Sequence, residues 1–231
     1  MSKIAVFMRW FACVLSVLFF SVFVISCDDQ PTHPDTLGKG VIEISADETY
    51  RPIIEEQKKV FDSSYPDAKI TIHYKPESEC FKDYFEKKAR IILVTRQLSP
   101  AEKELCSQKQ IYPTSLPLAR DAVAVIVNNE AADTILDIAA LKGILKGVYK
   151  TKYTVVFDNQ GSSTLRFIND SILQTDTLGK NVFAAKGNKE VVDYVTKNPA
   201  AIGIVGLNYV SDSLDPGNTG AFIKSVKVVA L

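Results

Sequence analysis

Short apolar runs alternate along this chain with segments whose apolar residues recur every three or four positions, and this alternation restricts the fold more than any other feature. Ile91-Ile92-Leu93-Val94, Ala122 to Val127 and Ala201-Ile202-Gly203-Ile204-Val205-Gly206 contain no polar residue. A strand apolar on both faces belongs in a sheet covered by helices, the setting of parallel strands. Val41-Ile42-Glu43-Ile44 and Ile70-Thr71-Ile72-His73-Tyr74 alternate as half-buried strands, Tyr153 to Phe157 adds another, and Val226 to Val229 reads as a last one. Between them, helical stripes run through Ile53, Ile54, Val60 and Phe61, through Cys80, Phe81, Tyr84 and Phe85, through Ile138, Leu141, Ile144 and Leu145, and through Val191, Val192 and Val195. Pro52 suits the first turn of the first helix, and Ser99-Pro100 reads as an N-cap with proline at the first helical position. The pattern predicts an α/β protein with mixed sheets flanked by helices.

The first 26 residues have a different character. Lys3 and Arg9 precede an apolar run from Trp10 to Ile25, interrupted only by Ser16 and Ser21, and Val24-Ile25-Ser26-Cys27 follows. A small residue directly before a cysteine resembles the lipobox of bacterial lipoproteins, which implies cleavage after Ser26 and acylation of Cys27. The alternative is a transmembrane anchor. The run falls short of the ~20 residues a spanning helix needs, and Asp28-Asp29-Gln30-Pro31 follows at once. Either way the rest of the chain is expected outside the cytoplasm, in the cell envelope, held to a membrane by residues 27–39. That stretch of Asp, Pro, Thr and Gly reads as a flexible spacer.

The 205 residues after Ser26 carry 25 basic and 27 acidic side chains, a net charge of −2. Nucleic acid is excluded as a partner, since it requires a basic face. Cys80 and Cys106 remain once Cys13 and Cys27 are set aside, and they are read equally as a disulfide or as two buried thiols. His33 lies in the spacer and His73 on a strand. This inventory offers no metal site, no cofactor motif and no histidine-based triad.

Candidate chemistry sits in three strand-to-helix turns rich in hydroxyls: Ser45 with Thr49 and Tyr50, Thr95 with Arg96, and Gly161-Ser162-Ser163-Thr164. Free N–H groups and the helix dipole at such turns receive anions, although each hydroxyl can equally cap its own helix. Three such turns at strand C-termini would converge where α/β sheets bind ligands.

At these residues the chain resembles the phosphate-binding proteins of ABC importers, within the type II periplasmic binding-protein superfamily. Ser45 to Pro52 is similar to the family's first anion loop, Val94 to Ser99 to its Ser-Arg-x-Leu loop, and Gly161 to Thr164 to its Gly-Ser-Gly-Thr loop. Leu136 to Gly147 and Asn198 to Leu207 are similar to its second-lobe helix and its return segment. The resemblance covers roughly residues 40–210. It implies two lobes: residues 40–121 in lobe 1, 122–201 in lobe 2 and 202–231 returning to lobe 1, with crossings near Arg120–Val123 and Ala200–Gly203. It also implies a non-enzymatic receptor delivering an oxyanion, phosphate first, to an ABC importer permease. Thr49, Tyr50, Thr95, Arg96, Gly161, Ser162, Ser163 and Thr164 would contact the anion. Asp158 and Gln160 stand where the family has Arg and Asp. Arg96 is the candidate replacement cation, while Arg166 reads as a surface ion pair. The family also continues through further strand and helix after the return segment, so lobe 1 is expected to be incomplete here. Two other readings remain open: an envelope hydrolase using Ser162 or Ser163 with Asp158, although Gln160 to Thr164 lacks a Gly-x-Ser-x-Gly elbow, and a sensor or adhesin lipoprotein of the same fold.

Overall fold

The computed structural model describes residues 35–231 apart from residues 37, 133 and 212–222. The expectations for the signal segment and for Cys27 lie outside the described residues.

Two sheets form. The first has three parallel strands in the order β2-β1-β3, with β1 at Gly40–Asp47, β2 at Ala68–Lys75 and β3 at Ile91–Leu93. Its helices are α1 (Arg51–Ser64), α2 (Glu77–Phe85) and α3 (Pro100–Gln108). Pro52 lies in the first turn of α1. Ser99 caps α3 by accepting from the Glu102 amide at 3.3 Å, while the Glu102 carboxylate accepts from the Ser99 amide at 2.7 Å. Ser99→Ala is expected to lower stability by about 1 kcal/mol, measured by denaturant unfolding, because the Glu102 amide loses its partner. This sheet is thinly covered: no residue of α1 is buried, and Val41, Ile91 and Val60 are exposed.

The second sheet has the order β6-β5-β7-β4-β8, with β4 at Val123–Asn128, β5 at Thr154–Phe157, β6 at Val182–Ala184, β7 at Ala201–Gly206 and β8 at Val226–Val228. β5 runs parallel to β6 and β7, whereas β4 is antiparallel to both β7 and β8. Helices α4 (Ile138–Leu145), α5 (Ser163–Ile168) and α6 (Asn188–Lys197) flank it, and a π-helical turn at Asn169–Leu173 extends α5. Alternate residues of the central strands feed opposite faces, as period-two geometry requires. Val125, Val127, Val155 and Phe157 pack with Leu141, Leu145, Ile168 and Leu173 on one side. Ala124, Ile126, Val156 and Val205 pack with Val191 and Val195 on the other. Gly203 is required under α6, because a Cβ there would lie 2.7 Å from Val191, 2.8 Å from Ile126 and 2.9 Å from Val195.

Two expectations need correction. Residues 202–231 were assigned to the return into lobe 1, yet β7 and β8 both pair in the second sheet, because the fully buried Ile202, Ile204 and Val205 need cover on both faces. The second crossing expected near Ala200–Gly203 falls instead within β7, and just after β7 the Leu207 amide donates to the carbonyl of Ala122, the residue before β4, at 2.7 Å. Cys80 and Cys106 are both free and buried, and burial pushes the Cys80 thiol up to about 12.

Candidate functional site

The C-terminal ends of β1, β2 and β3 in one sheet and of β5 in the other carry the turns that meet between the sheets. At the end of β1, the fully buried Asp47 starts a one-turn helix, its Oδ1 accepting from the Thr49 amide at 3.1 Å. At the end of β5, Asp158 is equally buried and precedes the turn into α5. Ser162 caps α5 by accepting from the Leu165 amide at 3.1 Å. Gly161 lets the two sides touch: the Ser78 amide donates to its carbonyl at 3.2 Å, and a Cβ at position 161 would collide with the Ser78 hydroxyl.

Hydroxyls from two of the three turns meet across the two sides, and their partners are specific. Ser163 donates to Thr49 Oγ1 across the interface at 3.2 Å. Thr164 donates to Asp158 Oδ1 at 2.5 Å and contacts Ser162 Oγ at 2.9 Å. Tyr50 is half-buried, and its hydroxyl is pushed up to about 12 by burial and then by the nearby carboxylates Asp121, Asp47 and Glu77. It therefore stays a donor at neutral pH.

Two carboxylates set the electrostatics. Burial raises Asp47 to about 6, with the Thr49 amide and the nearby Ser163 hydroxyl pulling the other way, and its Oδ2 has no hydrogen-bond partner. Burial also raises Asp158, opposed by the Ser162 and Thr164 hydroxyls that stabilise its ionised form. The cradle is thus rich in donors, and some of those donors serve its own acids.

Thr95 and Arg96 lie in a neighbouring cluster. Glu77, at the first turn of α2 and 3% exposed, accepts from the Thr95 amide at 2.9 Å and from the Thr95 hydroxyl at 2.6 Å. Arg166 reaches Glu77 from α5, its Nε donating at 2.7 Å, while its Nη2 donates to Thr95 Oγ1 at 2.5 Å. The reading of Arg166 as a surface ion pair is corrected: it bridges the two sheets. Arg96 pairs bidentately with Glu102 at 2.7 and 2.8 Å, lies 3.8 Å above the Phe81 ring, and reaches Glu77 at 3.8 Å.

Sequence reasoning missed Glu77, Asn188 and Tyr209. The buried Asn188 donates to Glu48 at 2.8 Å and to Asp158 at 3.3 Å, and accepts from the Gly206 amide at 2.9 Å. Tyr209 donates to the Glu48 carboxylate and, at 2.9 Å, to the Glu48 carbonyl. The available signal for Asn188 was a Gly-Asn pair opening a helix; for Glu77 and Tyr209 there was none. Among the described residues Ser162 and Ser163 have no histidine partner; His73 pairs at 2.5 Å with Glu43 on the exposed face of the first sheet. Among the described residues no group of three His, Cys, Asp or Glu side chains is arranged to hold a metal ion.

Comparison with known proteins places this geometry. A solved structure from Clostridium perfringens, a substrate-binding protein with bound phosphate, superposes with a TM-score of 0.68 at 22% identity over 82% of this chain and 75% of that one. An ABC-type phosphate transport receptor from Vibrio cholerae superposes with a TM-score of 0.57 at 19% identity, covering 81% of this chain and 75% of that one. In sequence, the phosphate-binding protein PstS of Staphylococcus aureus (strain USA300) is 25% identical over 203 residues, 82% of this chain. The chain spans 59% of the length of that relative. The profile of the PBP superfamily domain matches residues 31–231. With two sheets turning their strand ends toward a shared cleft, the chain belongs to the PBP superfamily and has the type II periplasmic binding-protein fold.

Proposed function

We propose that this protein is an extracytoplasmic solute receptor that captures an oxyanion, phosphate first among them, between its two sheets and presents it to an ABC importer. Lipid on Cys27 would hold it to the membrane. The observation that carries the reading is the meeting of hydroxyls from both sides of the cleft, Ser163 on Thr49, at the strand ends where this fold binds ligands. A dehydrated oxyanion needs many donors, and Thr49, Tyr50, Ser162, Ser163 and Thr164 offer hydroxyls within one cradle. The hydrolase reading gains no support from Asp158, which accepts from the Thr164 hydroxyl and the Asn188 side-chain amide, and among the described residues neither serine has a histidine partner.

Titration calorimetry of the purified chain with phosphate, and with sulfate as comparison, tests this reading. Saturable, phosphate-selective binding is expected. Ser163→Ala should weaken it about tenfold, the value of one lost hydrogen bond to a charged group. A folded chain that gives no heat with either anion, or a Ser163→Ala variant with unchanged affinity, contradicts the proposal.

A further inference from the structure

Around Glu77 the structure shows an arrangement that surface ion pairs do not. One buried carboxylate is held by a backbone N–H, a hydroxyl and a guanidinium, and a second guanidinium lies within ion-pair distance. The donors come from two places: helix α5 of the other sheet, and the turn after β3, which carries Thr95 and also Arg96, fixed over Phe81 and by Glu102. A backbone amide, a hydroxyl and a planar guanidinium converging on one point form the donor set that recognises carboxylate and phosphate oxygens alike. Glu77 is joined to the hydroxyl cradle through its neighbour, since the Ser78 amide bonds the Gly161 carbonyl.

We propose that Thr95, Arg96 and Arg166 form an oxyanion subsite whose present occupant is the chain's own Glu77 carboxylate, so that an incoming phosphate competes with Glu77 for the same donors. The proposal rests on the receptor reading above and adds to it where the cationic half of the site lies and what regulates access to it. Positive charge is absent from the Ser162–Thr164 turn itself, where Asp158 takes the Thr164 hydroxyl. The guanidiniums one step away are neutralised by Glu77, and also by Glu102 and Asp170. The Asp170 contact is the weak one, at 3.3 Å with Asp170 65% exposed. Removing the Glu77 charge therefore leaves Arg166 with the exposed Asp170 as its remaining anionic partner among the described residues. Because Glu77 belongs to one lobe and Arg166 to the other, the same contact draws the two sides together without ligand. The external anion must replace both its charge and its bridging role.

The test is phosphate titration of the wild-type chain, of Glu77→Gln, and of Glu77→Gln combined with Arg166→Gln. The glutamine keeps size and an acceptor for the Thr95 amide while losing the charge. Affinity in Glu77→Gln is expected to rise about tenfold or more, and Arg166→Gln in that background should cancel the gain. Wild-type binding that Glu77→Gln leaves unchanged or weakens overturns this inference and leaves the receptor reading standing, whereas folded proteins that give no binding in any form overturn both. If Glu77→Gln does not fold, the wild-type chain decides by NMR. Saturation with phosphate should shift the Thr95 amide resonance as its partner changes, and an unmoved Thr95 amide under saturating phosphate overturns the proposal.

Discussion

Replacing both Asp47 and Asp158 with asparagine is expected to raise phosphate affinity about 100-fold or more at pH 8, with the gain shrinking toward pH 5. The reason is Coulombic. A phosphate seated among Thr49, Ser163 and Thr164 lies beside two carboxylates that are both fully buried, and a like charge about 5 Å away costs about 3 kcal/mol at an effective dielectric constant of 20. The asparagines keep the acceptors used by the Thr49 amide and the Thr164 hydroxyl, and each adds an N–H that an anion can use. The pH dependence follows from the displaced carboxylates. Asp47 titrates at about 6 in the folded chain, so at pH 5 it is mostly protonated and no longer repels the ligand. Asp158 is displaced in the same direction. Comparing variant with wild type at each pH cancels the ionisation of phosphate itself. A variant that binds phosphate no better than wild type at pH 8, or a ratio that does not change with pH, would show that the anion sits away from these acids.

The same shift has a consequence for stability. A carboxyl whose folded value is raised from 3.8 to about 6 favours the protonated folded state, so its contribution is full below pH 3.8 and is lost as pH rises to about 6. The displacement corresponds to about 3 kcal/mol that Asp47 withholds from the folded chain at neutral pH. Its unpartnered Oδ2 is the structural mark of that cost. Such strain at a cleft is expected where a site is kept for a ligand rather than for stability.

What could be read in the sequence follows how local each signal is. The runs at Ala122–Val127 and Ala201–Gly206 announced themselves because helices cover both faces of those strands, so neither face carries polar residues. β6 went unrecognised: it is three residues long with Phe183 and Ala184 exposed, too short and too open to show a period. Strand direction was equally hidden, since the antiparallel pairing of β4 with β7 joins Val123 to Gly206 across most of a lobe. The hydroxyl turns were legible because a Ser or Thr beside a helix start has a local meaning. Glu77 was not, because an acid in the first turn of a helix is already explained by the dipole, and its partners lie far off, Thr95 at 18 residues and Arg166 at 89. The first sheet gave the opposite difficulty. Ile91 and Ile92 read as a strand covered on both faces, yet Ile91 is 44% exposed.

The largest effect on stability is expected from Phe157→Ala, about 3–5 kcal/mol, enough to leave little folded protein at 37 °C in a chain of ordinary stability. Among the described residues Phe157 is the largest fully buried side chain, and it is the last residue of β5 before Asp158. It packs in the cluster formed with Leu141, Ile168 and Leu173, so truncation removes contacts with α4, with α5 and with the π-helical turn at once. The neighbouring backbone cannot collapse into the space, because β5 is clamped between β6 and β7 on both edges. Urea unfolding measures the loss, and Gly203→Ala provides an overpacking control on the opposite face, with an expected cost of about 1–3 kcal/mol. Phe157→Leu separates packing from chemistry: it should recover much of the stability and, with Asp158 still anchored by Thr164 and Asn188, should leave the pH dependence of phosphate binding unchanged. A Phe157→Ala loss below 1 kcal/mol would mean that the second sheet, despite its two clusters, is not the stabilising body of the molecule.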